Sequence, residues 1–282
     1  MKTNIPLTDN FLFKVLFSKN QNQLLELLNS FPEFQNEKKI LKIKVLNPEL
    51  PKMTELEKLS VLDIHAEDKK GNKFLIEMQS QMEIGFEKRI LYYASKIYTK
   101  SLKKGERYFL LPKIYSISFL EFDLLKTKNY HSVFQLRENE NRELILTDDL
   151  EFHIIELRKV KTELSKLVTN FDTWLYLLRN GHDLKENEMN TLVKKNPKLK
   201  KTLDEYKDYT SNPKNKNLIE ARKKSRLVLN GQLAAAKLEG KLEGKIETAV
   251  EFLAYGMPIE QVCKVTGLTE NQILEFKKKI SK

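Results

Sequence analysis

At 282 residues, with 40% hydrophobic residues and a mean hydropathy of -0.50, the chain is long enough for one good-sized core plus an appendage. No apolar run approaches the roughly 18 residues that a membrane-spanning helix requires, and a lone cysteine, Cys263, excludes an internal disulfide and any zinc site built from cysteines. A net charge of +11 suits a polyanion binder, and 15 Lys or Arg against 6 Asp or Glu in residues 194–245 place most of the excess in one segment.

Taken in order, MKTNIPLTDN lacks the apolar core of a signal peptide, which points to a cytoplasmic protein. Thr8 is a candidate cap for a helix starting at Asp9, with Phe13, Leu16 and Phe17 as its apolar stripe. A second helix is predicted over residues 21–30, before Pro32. LKIKVLNPE, residues 41–49, alternates like a strand, and residues 51–60 read as a connection.

The stretch VLDIHAEDKKGNKFLIEMQSQ, residues 61–81, reads as an antiparallel hairpin whose loop, residues 68–72, holds Gly71 where a positive φ is needed. With the loop centred on Lys70, paired residue numbers sum to roughly 140. Leu62, Ile64, Phe74, Ile76 and Met78 then share a core face, while Asp63, His65, Glu77 and Gln79 share the other, with Asp63 opposite Glu77. Opposed like charges on neighbouring strands repel. A shared Mg²⁺, which takes oxygen ligands and keeps several waters, removes the conflict; so does a solvated pair neutralised by Lys73 or Lys88.

After Gln81 the spacing turns helical, with Phe86, Ile90, Tyr93, Ile97 and Tyr98 on one stripe and Arg89, Tyr92, Lys96 and Lys100 on another. Residues 113–122 form a strong strand. HSVFQLR, RELILT and FHIIEL offer three more, with Asp148-Asp149 between the last two. His131 and His153 read as sheet residues rather than ligands. Helical spacing returns over residues 156–179 with Leu164, Leu167, Phe171, Trp174 and Leu178, and Asn180-Gly181 closes the compact part. A lysine-rich helical stretch follows, interrupted at Pro197 and Pro213. It leads into the tandem KLEG repeats, a glycine-weakened helix or linker. The last residues read as two short helices about Gly267, the second capped by Thr269 with Gln272. This pattern suits a helix-turn-helix or a small packing or dimerisation tail.

An aspartate on one strand followed by Glu-x-Gln on the next resembles the PD-(D/E)XK nuclease superfamily. The order TDNFLFKVLF, VLDIHAEDKKGNKFLIEMQ, RILYYASKIY, then GKLEGKIE is similar to the Rpn family of recombination-promoting nucleases. The resemblance implies an α/β fold, a nuclease-like mixed β-sheet flanked by helices, over residues 1–183. A basic helical segment and linker, 184–245, and a small helical region, 246–282, would follow. It further implies a metal-dependent DNA endonuclease in which Asp63 and Glu77 hold Mg²⁺ or Mn²⁺ and Gln79 takes the place most relatives give to lysine. Arg89, Lys96 and Lys100 would contact DNA, and Asp9 and Lys14 would lie near the site. DNA and a second copy of the chain are the expected partners, with no membrane and no small-molecule cofactor. Two alternatives stay open: a catalytically weak DNA-binding or oligomerising protein on the same scaffold, and a transposase that also joins strands.

Overall fold

In the computed structural model, residues 5–46 and 64–274 are described. They divide into two compact units, 1–216 and 217–282. The first is built on a six-stranded mixed sheet in the order β1-β2-β3-β4-β6-β5. Its strands are β1 (Ile43–Val45), β2 (Ile64–Asp68), β3 (Lys73–Gln79), β4 (Ile114–Leu120), β5 (His131–Arg137) and β6 (Ile145–Glu156).

The β2–β3 hairpin has the expected register, with Ile64 opposite Ile76 and His65 opposite Leu75. Its turn is fixed locally. Asp68 Oδ1 accepts from the backbone N–H of Lys70 (2.8 Å) and of Asn72 (2.9 Å), and Gly71 sits at φ +86°. The expected opposition of Asp63 and Glu77, and the connection over residues 51–60, lie outside the described residues. β3 then pairs in parallel with β4, and β4 in parallel with β6, each over seven residues without a bulge.

Helices cover both faces of the sheet. On one side α3 (Phe86–Lys100) lays Tyr93, Ala94 and Ile97 on Leu75 and Ile114, and Phe86 and Ile90 on Leu120 and Ile154. On the other, α1 (Asn10–Lys19) and α4 (Asn170–Asn180) supply Phe13, Phe17 and Trp174; α2 (Gln21–Leu28) packs beside β1. The Phe13 ring lies 5.8 Å from that of Phe119, and Phe17 lies 5.9 Å from Trp174, so the lone tryptophan is a core anchor.

Four local expectations change. Asp9, not Thr8, caps α1, because its carboxylate accepts from Leu12 N–H (3.1 Å); the Thr8 hydroxyl donates to Glu121 instead. RELILT and FHIIEL are one twelve-residue strand, since Asp148 and Asp149 find partners in Lys113 and Tyr98 and do not break it. The helix expected from residue 156 starts only at Asn170, where Thr169 and Asp172 form a capping box; β6 and two short 3-10 turns occupy the residues before it. Compact packing continues beyond Gly181 through α5 (Glu186–Lys195) and α6 (Leu199–Ser211). The Tyr206 hydroxyl of α6 donates to Ile5 O (2.7 Å), and Thr202 to Gln23 (3.0 Å).

α7 (Pro213–Ala254) begins with proline at its first turn, where a missing N–H costs nothing, and runs through both KLEG repeats as continuous helix. In the second unit, α8 (Ile259–Thr266) ends at Gly267 (φ +68°), and a further helix starts at 270 after the Thr269–Gln272 box. Ile246, Ala249, Val262, Leu268 and Ile273 form its core.

Candidate active site

The site is assembled at the carboxyl ends of β3 and β4, on the face covered by α3. Alternation along β3 sends Phe74, Ile76 and Met78 to one core and leaves Leu75, Glu77 and Gln79 facing α3. Glu77 is therefore a carboxylate only 7% exposed, and Gln79 is equally enclosed. Ser118, the partner of Glu77 on β4, is 1% exposed and its hydroxyl has no hydrogen-bond partner.

α3 answers this buried charge. Gly85, at φ +80°, turns the chain into the helix, and Arg89 N–H bonds back to Gly85 O (2.9 Å). Arg89 thus reaches back over the strand end. Its Nη2 donates to Glu77 Oε2 (3.1 Å) and to Gln79 Oε1 (3.4 Å), while Nη1 pairs with Glu83. The Gln79 amide donates to Glu83 Oε1 (2.8 Å) and Gln81 O (3.0 Å). Burial raises the Glu77 pKa above the usual carboxylate range, and the Arg89 guanidinium opposes that shift.

The remaining predicted residues fall at varying distance from this network. Asp63 lies outside the described residues. Asp9 is occupied as the α1 cap, and the N-terminus of α1 reaches the strand ends through Thr8 and Glu121, whose N–H bonds to Gln79 O (3.0 Å). Lys14 is half-buried on α1. Lys96 is buried with its Nζ 5.6 Å from the Tyr92 ring, and Lys100 is exposed in the last turn of α3. His65 shares the α3 face; burial, helped by Lys73, lowers its pKa to about 4, and its Nε2 is buried without a partner.

Sequence reasoning missed Glu83 and Ser118. Ser118 was legible only through the β3–β4 register, and Glu83 only through the turn before α3. A buried carboxylate beside an amide oxygen suits a hard divalent cation, and burial keeps the Glu77 pKa raised despite Arg89.

A family model described as PD-(D/E)XK nuclease family transposase matches residues 6–236. Comparisons with curated proteins and with solved structures found no match.

Proposed function

From the premise that the chain belongs to the PD-(D/E)XK nuclease family of transposases, we propose that it is a metal-dependent DNA endonuclease acting in recombination or mobile-element movement. The observation that carries the reading is Glu77, buried on a central strand with Gln79 two residues on and Arg89 reaching both. The register expected from the sequence sets Asp63 opposite Glu77, and these two acids are the proposed ligands of Mg²⁺ or Mn²⁺, with the Met78 carbonyl as a third. Bound there, such a cation supplies a more acidic water and polarises the phosphodiester.

The chain's own residues do the rest. Gln79 orients the phosphate or the water by hydrogen bonds but carries no charge. Arg89 supplies the positive charge that an amide lacks, at the same strand end. The lysine-rich residues 184–245 and the α3 residues Lys96 and Lys100 are proposed DNA-backbone contacts. A homodimer would supply two sites for cutting both strands, and a cytoplasmic setting is proposed with it; no helix among the described residues is long and apolar enough to cross a membrane.

Plasmid cleavage tests the reading. Nicking is expected with Mg²⁺ or Mn²⁺, absent with EDTA, and lost in Asp63→Ala and Glu77→Ala; nicking that persists in either variant sinks it. One observation favours the weaker alternative, a nuclease-fold DNA-binding protein: Arg89 occupies Glu77 Oε2 at 3.1 Å. In that case DNA affinity is retained and is indifferent to Mg²⁺ and to both substitutions. Strand joining, scored with matched donor and target DNA, separates a full transposase from a hydrolase.

A further inference from the structure

A second polar cluster lies on the opposite face of the sheet. His131 on the edge strand β5 and His153 on β6 are diagonal neighbours, since His131 pairs with Ile155 and Val133 with His153. The 3-10 turn Pro32–Phe34 hangs Glu33 beside them. His131 Nε2 and His153 Nδ1 are 3.0 Å apart, His131 Nδ1 is 4.0 Å from Glu33 Oε1, and His153 Nε2 is 2.9 Å from Glu151 Oε1. One ligand atom from each of Glu33, His131 and His153 lies within 4.8 Å of the others.

The hydrogens do not suffice for these contacts. Glu151 only accepts, so His153 Nε2 donates to it and, in a neutral ring, Nδ1 is a lone pair. A neutral His131 has one proton. Placed on Nε2 it serves His153 and leaves Nδ1 as a lone pair 4.0 Å from a carboxylate oxygen; placed on Nδ1 it is too far from Glu33 for a hydrogen bond and leaves two lone pairs head to head. Either way one acceptor faces another, and Glu33 Oε2 is buried with no partner at all. With both rings neutral, the cluster is one positive charge short.

We infer that Glu33, His131 and His153 form a transition-metal site of the Zn²⁺ or Co²⁺ class, distinct from the carboxylate site on the other face. Two imidazoles and one carboxylate with an open fourth position match zinc chemistry, and imidazole disfavours Mg²⁺. Glu151 on His153 Nε2 is the outer carboxylate that fixes the metal-binding tautomer. Tetrahedral Zn–N bonds of about 2.0 to 2.1 Å set the two nitrogens roughly 3.3 Å apart. The rings therefore part by a few tenths of an ångström and tilt so that their lone pairs converge. His131, on an edge strand, and Glu33, on a short turn, are the ligands placed to move; His153 is fully buried. The metal would pin the edge strand and the turn to β6.

The test uses the full chain, stripped by chelation and titrated with Co²⁺ while the visible ligand-field band is followed. One equivalent with a tetrahedral band, displaced by Zn²⁺ and untouched by excess Mg²⁺, is expected. Glu77→Ala should leave it unchanged. His131→Ala and the near-isosteric Glu33→Gln, which removes no buried volume, should each weaken binding by at least about 10-fold, the lower end of what losing an outer-shell partner costs. No band in the parent chain overturns the site, as does a band of undiminished affinity in either His131→Ala or Glu33→Gln.

Discussion

The two faces of the central sheet each bury a glutamate beside cationic or donor groups, and the two carboxylates respond in opposite directions. Burial pushes both pKa values up. At Glu151 the His153 ring, Lys113 Nζ (3.2 Å) and the Gln135 amide (2.5 Å) overcome that penalty and hold it at about 2. At Glu77 a single arginine, shared with Gln79 and Glu83, does not, and the pKa stays raised. Residue type and burial alone thus do not set the direction of the shift; the count of donors does.

The comparison breaks most visibly under substitution. Glu77→Ala should reduce metal-dependent cleavage by at least about 100-fold with little loss of folding stability, because it removes a charge that burial disfavours. Glu151→Ala should leave buried His153 Nε2 without its acceptor and Lys113 with only Asp148, and cost about 3–5 kcal/mol in denaturant unfolding. If the two losses are exchanged, with Glu77 essential for folding and Glu151 for cleavage, the assignment of roles is wrong.

Arg89→Ala is the next largest effect. Cleavage should fall roughly 10- to 100-fold, and the acidic limb of the pH–rate profile should move to higher pH, since the group that lowers the Glu77 pKa is gone. Arg89→Lys should restore part of the rate and move the limb back. A profile unmoved in Arg89→Ala would separate the guanidinium from the Glu77 carboxyl.

Acid should then expose the histidines. His65 and His131 both have folded pKa values of about 4 against an ordinary 6.5. A depressed pKa means that the unfolded chain binds the proton first, so their contribution is complete above pH 6.5 and lost as pH falls toward 4. Glu151 is also depressed, and its contribution is present above pH 4.5 and lost toward pH 2. Glu77 has the reverse sign, its raised pKa gaining stability as pH falls through it. Melting temperature should decline between pH 7 and 4, and His65→Gln should flatten the decline. The smallest effect belongs to the helix outside the sheet. Gly240→Ala and Gly244→Ala each meet open space for the added methyl and should raise helix stability by about 1 kcal/mol, read by circular dichroism.

Local pattern carried much of this into the sequence. Period-two alternation and Gly71 set the hairpin register, and the α3 stripe follows from its three-to-four spacing. The start of α4 was obscured because Leu164 and Leu167 keep helical spacing across a 3-10 turn, while the start signal, the Thr169–Asp172 box, is a weaker pattern. The Glu77–Arg89 contact joins residues twelve apart through a glycine turn, and the Glu33–His131–His153 cluster joins three separate elements. Neither leaves a periodic trace; both follow only once strand order is known. Reading His131 and His153 as sheet residues rather than ligands was right about their strands, and the metal site inferred for their rings departs from its second half.

The tip of the β2–β3 hairpin has one further consequence. Strand β3 is clamped along its whole length by β4, and the turn at residues 69–72 is fixed by Asp68 on its own side. Extra residues spliced in between Lys69 and Lys70 would be absorbed as a longer loop, because the neighbouring strand keeps Glu77 where it is. The tip is therefore the place to graft a fluorophore or an affinity handle that leaves the Glu77–Gln79–Arg89 network in place.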